Sequence, residues 1–109
     1  MFDEALAVRI REVLQDRMDV TEQKMFGGVA FMVRRHMCVG IVGSDLMVRV
    51  GADGLERALA EPHARPMDFT GRPSRGMVYV AKGGVRTKEA LRGWIARGLR
   101  FTQTLPDKK

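Results

Sequence analysis

The feature that most restricts the fold is a change of hydrophobic period partway along the chain. Between residues 3 and 18 apolar side chains recur at helical spacing, with Leu6, Ile10, Val13 and Leu14 on one stripe and Glu4, Arg11, Glu12 and Gln15 away from it. From Met25 to Val50 the period falls to two, and turn residues break the run at Arg34-Arg35 and at Gly43-Ser44-Asp45. That pattern predicts three strands in an antiparallel meander. The first segment is therefore expected as an amphipathic helix, set apart from the run of strands.

The rest of the chain repeats the alternation. A short second helix is expected after Asp53, a capping candidate whose partner would be Glu56, and Pro62 stops it. Arg65-Pro66 and Arg72-Pro73 then bracket a strand around Met67 to Phe69, because a proline drives the residue before it toward extended geometry. A further strand covers Gly76 to Ala81, Gly83-Gly84 turns the chain, and Thr87 can cap a last helix. Leu91, Trp94, Ile95, Leu99 and Thr102 share one face of that helix. The order is αβββαββα, an α+β two-layer sandwich on a mostly antiparallel sheet, expected as a single domain over residues 1–109 with a fraying tail at 106–109.

Composition narrows the function classes. With 109 residues the chain is too short for a two-lobed enzyme, and its apolar runs, such as Val29 to Val33, are too short to span a membrane. Acids at Asp3 and Glu4 stand where a signal peptide needs a basic start, so a cytoplasmic location is expected. The single cysteine, Cys38, rules out an intramolecular disulfide and a multi-cysteine zinc site.

If Arg34-Arg35 is a two-residue turn and Gly43-Ser44-Asp45 a three-residue turn, then Val29, Phe31, Val33, Cys38, Gly40, Val42, Leu46, Val48 and Val50 share the core face. The opposite face then carries Ala30, Met32, Met37, Val39, Ile41 and Met47, relieved only by Arg49. So apolar a surface is expected to meet a second copy of the chain or another protein, and methionine adapts readily to a partner. The alternative is a helix covering each side of the sheet.

Charge is regional. The net charge is +6 overall, divided as −1 over residues 1–54 and +7 over residues 55–109. A basic second half suits an acidic partner, either a protein surface or a phosphate backbone, and equally serves plain solubility. The candidate basic patch comprises Arg65, Arg72, Arg75, Arg92, Arg97 and Arg100. Stacking aromatics are scarce and helix-turn-helix, zinc-finger and RNA-recognition signatures are missing, so nonspecific phosphate contact is the form nucleic-acid binding would take.

Reaction chemistry finds little footing. His36 and Cys38 alternate on one strand but are two ligands short of a tetrahedral metal shell, and His63 stands apart. Cys38 sits among Met37, Val39 and Ile41, a setting for packing and not for a nucleophile. Neither Gly27-Gly28 nor Gly83-Gly84 extends to a P-loop or a dinucleotide fingerprint. The expectation is a non-enzymatic protein with no catalytic residues, metal or cofactor.

Several blocks in order carry a family resemblance: Met25-Phe26-Gly27-Gly28-Val29-Ala30-Phe31, Met37-Cys38-Val39-Gly40, Leu46-Met47-Val48-Arg49-Val50-Gly51, Pro62-His63-Ala64-Arg65-Pro66-Met67 and Trp94-Ile95. Together they resemble the N-terminal domain of the TfoX/Sxy family over residues 25–101. The resemblance implies a small α+β fold similar to secretion-chaperone domains, and a regulatory or protein-interaction role. Larger members, which add a helical C-terminal domain, regulate natural competence together with a transcription factor of the cyclic-AMP receptor type. The expectation is a protein-binding module, either a homodimer joined through the apolar sheet face or, as the resemblance implies, an accessory to a transcription factor of the cyclic-AMP receptor type, with a small basic nucleic-acid-associated protein as the alternative. The hairpin departs from the family pattern: similar sequences often place Asn-Gly where this one has Arg34-Arg35. Either the turn is longer here, or the two arginines adopt positive φ and have a task of their own.

Overall fold

In the computed structural model, residues 2–25, 27–68 and 73–107 are described, the side chains of residues 73 and 74 excepted. Helix α1 (Glu4–Leu14) starts at Asp3, whose carboxylate accepts the Leu6 amide, and buries Leu6, Ala7, Ile10 and Leu14. Six strands follow: β1 (Val20–Met25), β2 (Gly28–Val33), β3 (His36–Val42), β4 (Asp45–Arg49), β5 (Ala64–Asp68) and β6 (Pro73–Val80). Helix α2 (Leu55–Leu59) lies between β4 and β5, a 3-10 turn spans Lys82–Val85, and α3 (Lys88–Gln103) closes the fold. The sheet is antiparallel throughout in the order β1-β2-β3-β4-β6-β5.

The architecture is α+β with two layers. All three helices contribute to one buried cluster with Val29, Phe31, Val33, Val39, Ile41, Leu46, Val48, Val78 and Val80 of the sheet, which puts the helices on the same side. Thr87 caps α3 by accepting the Ala90 amide at 3.0 Å, as its position suggested. On α3 the expected stripe is buried at Leu91, Trp94, Ile95 and Thr102, with Leu99 packed against the cluster.

Three local readings are corrected. Strand β1 is an addition to the expected meander: its central residues, Thr21 to Lys24, are exposed, so no apolar alternation marks it, and it is held by pairing along β2. Asp53 does not cap α2, which begins at Gly54 with no side-chain cap. The third concerns which face β3 presents. The Arg34-Arg35 turn has two residues, with Val33 opposite His36, but Met32 then pairs with Met37 and Phe31 with Val39, which leaves Cys38 as a bulge. One extra residue inverts the alternation beyond it. Val39 and Ile41 therefore lie on the helix-covered face, fully buried, while Gly40 joins Ala30 and Met47 on the other. The next turn is Gly43-Ser44 alone, because Val42 pairs with Asp45, and this second change of count returns Leu46 and Val48 to the core side. The expected strand end at Phe69 lies outside the described residues.

Candidate functional site

Of the six residues expected on an open apolar face, Val39 and Ile41 belong to the core, and Ala30 and Met47 are fully buried although they are not part of the main core cluster. Met47 folds over Gly40, whose missing side chain leaves room for the thioether. Met32 and Met37 stay half-buried. Beside them Tyr79, opposite Met47 across β4 and β6, is overlain by Arg65, 4.8 Å from its ring centroid, and Arg65 is bonded to Asp45. That hydrogen bond holds the Arg65 guanidinium more firmly protonated than usual.

The arginine turn has a structural task. Arg34 and Arg35 both have positive φ, 52° and 70°, a conformation that costs an L-residue energy. Arg34 offsets this by reaching the end of α3. It donates to the carbonyls of Thr102 at 3.1 Å and Leu105 at 2.6 Å, and pairs with Asp107. A cation beside these C-terminal carbonyls also opposes the negative end of the helix dipole. Buried His36 donates from Nε2 to the Pro106 carbonyl at 2.7 Å and completes the clamp. An Asn-Gly turn would be easier for the backbone and could not hold the helix end.

Five other arginines gather elsewhere, around the contact between Gly51 and Phe101. Gly51 has φ +80° and lies against the ring of Phe101, so this position tolerates neither another backbone conformation nor a side chain. On one side of the contact a groove of about 600 Å³ is lined by Asp53, Arg57, Arg97, Arg100, Phe101 and Thr104, among others. On the other side a groove of about 390 Å³ is lined by Met37, Arg49, Arg75, Met77 and Phe101 together with the backbone of Gly51 and Gly76. Both share Gly51, Ala52 and Phe101, and across them five arginines face one carboxylate, Asp53. Arg97 is fixed by Glu61 at 2.8 Å and lies 4.7 Å from the Trp94 ring centroid, and Arg49 lies 5.2 Å from that of Phe101. A third hollow past Arg97 and Arg100 runs along Trp94 to His63, whose ring rests on Gly83 and Gly84.

The fold thus brings together Arg75, Arg97 and Arg100 of the expected basic patch. Arg65 lies on the open sheet face, Arg92 is exposed on α3 and lines none of these grooves, and Arg72 lies outside the described residues. Arg49 and Arg57 were missed. Nothing local marks them: one ends a strand, the other sits on a short helix, and each meets its neighbours only through tertiary contacts.

Among the described residues no three His, Cys, Asp or Glu side chains lie together as metal ligands would, and every buried side-chain nitrogen or oxygen has a hydrogen-bond partner. No described helix is long and apolar enough to cross a membrane. Burial pushes the Cys38 thiol up to about 12, which suits packing and not nucleophilic attack.

A family model described as the TfoX N-terminal domain matches residues 12–102. The chain belongs to the TfoX N-terminal domain family. In this family member the match takes in the sheet from β1 onward, α2, and α3 up to Thr102, so the smaller groove falls within it, as does the larger one except for Thr104. No curated protein and no solved structure matched the chain.

Proposed function

We propose that this TfoX-family module is a non-enzymatic interaction protein that docks an acidic protein partner on the arginine surface around Gly51 and Phe101. The observation that carries the reading is the placement of charge. Arg57, Arg75 and Arg100 line the two grooves with no acidic partner among the described residues, whereas Arg11, Arg17, Arg34, Arg65 and Arg97 are each paired. Unpaired arginines beside grooves attract an anionic partner and give planar, bidentate contacts to its carboxylates.

The aromatic rings favour protein over nucleic acid. Single-stranded nucleic acid is held by stacking bases on free ring faces. Here Phe101, Tyr79 and Trp94 each already carry an arginine on a ring face, and Trp94 is only 7% exposed. The family suggests a role beside transcription in the cytoplasm, and a factor of the cyclic-AMP receptor type is the first partner to try.

The test is affinity capture from native extract with and without nuclease, using the wild type and an Arg57→Glu/Arg100→Glu variant. A protein captured after nuclease by the wild type and lost by the variant is the expected result. Capture that disappears with nuclease, or that the variant retains, would refute the proposal.

A further inference from the structure

The smaller groove has a composition of its own. Its floor is apolar and deformable, made of the thioethers of Met37 and Met77 and of Phe101, and its cations are Arg49 and Arg75 with no acid in the lining. Arg49 is held in place by Phe101 and by a bond from its guanidinium to the Met37 carbonyl at 3.4 Å. Arg75 is exposed and its side chain makes no hydrogen bond or ion pair among the described residues, so one cation is pre-positioned and the other adjustable. A simple polyanion would use the arginines and gain nothing from the floor. An apolar ligand would use the floor and leave the charges idle.

We infer that this groove seats a large aliphatic side chain, leucine or one of similar size, on an acidic segment of the partner, with carboxylates on either side of it received by Arg49 and Arg75. The inference rests on the reading of the arginine surface as a protein-docking site and specifies the chemistry of what docks. The wider surface indicates an extended segment in preference to a small apolar acid. The groove shares Gly51, Ala52 and Phe101 with the one that holds Arg57, Arg97 and Arg100, so a chain leaving the apolar seat over that edge meets further cations. A volume of about 390 Å³ is ample for one such side chain.

Fluorescence anisotropy with a labelled nonapeptide tests this, the probe carrying one leucine flanked on both sides by Asp and Glu. The full protein is expected to bind it saturably near physiological salt. Replacing the leucine by alanine should weaken binding about fivefold or more, as the loss of a buried aliphatic group implies. Arg75→Glu should weaken it at least about tenfold, while Arg92→Glu, the same change of charge away from the grooves, should alter it less than about twofold. Equal effects of the two arginine variants, indifference to the leucine, or no saturable binding would overturn the inference. So would a single-stranded oligonucleotide of matched charge that bound more tightly than the peptide. The alanine peptide leaves the protein untouched, so misfolding of a variant cannot imitate that outcome. If the peptide results are negative while the Arg57→Glu/Arg100→Glu variant still loses its protein partner, this inference fails and the docking proposal stands.

Discussion

Two glycines in one helix should respond in opposite directions to the same substitution. In α3, a Cβ on Gly98 would lie 2.9 Å from the backbone oxygen of Cys38, 2.9 Å from its sulfur and 3.3 Å from Cγ1 of Val39. A Cβ on Gly93 would meet nothing within 4 Å. Alanine in a helix interior is favoured over glycine by about 1 kcal/mol through backbone entropy, and Gly93→Ala should gain most of that. Gly98→Ala gains the same amount but overpacks the α3–β3 contact, typically at a cost of about 1–3 kcal/mol. Because one obstacle is backbone, which cannot rotate away, the upper part of that range applies. The net is a loss of about 1–2 kcal/mol. For a chain of this size about 1 kcal/mol moves the midpoint by about 4–6 °C. Thermal and urea denaturation followed by circular dichroism should therefore show Gly93→Ala melting above the wild type and Gly98→Ala below it. If both rise together, α3 does not rest on β3 as closely as described.

Two further outcomes follow from the clamp and the core. Arg34→Ala removes the bonds to Thr102, Leu105 and Asp107, and should cost about 1–2 kcal/mol, with faster hydrogen exchange at the amides of Thr104 and Leu105; unchanged exchange there would show that the helix end is held by other means. Cys38, fully buried with its thiol pushed up to about 12, should resist iodoacetamide at pH 8 in the folded protein and react readily in denaturant, so stoichiometric labelling of native protein would contradict the packing.

The parts of the fold that were legible in the sequence are those encoded over a few residues. The stripe of α1, the cap at Thr87 and the face of Leu91, Trp94 and Ile95 each depend on contacts within a turn or two of helix, which spacing reveals. The strands of the meander were legible for the same reason, and so was the family, whose motifs are runs of adjacent residues. Strand β1 was not, since an exposed edge carries no apolar alternation and becomes a strand only by pairing with β2.

The side on which Val39 and Ile41 fall was decided by tertiary structure, through the bulge at Cys38, because a single unpaired residue leaves no mark on hydrophobicity yet exchanges the two faces. The same holds for the candidate site. Arg49 and Arg75 come from different strands, Arg57 and Arg100 from different helices, and the sheet order together with the seating of α3 makes them neighbours. The chain's charge and its periods are properties of composition and short spacing, which the sequence determines by itself. Which of those charges face a common groove depends on pairings between distant segments, and those exist only once the core has closed.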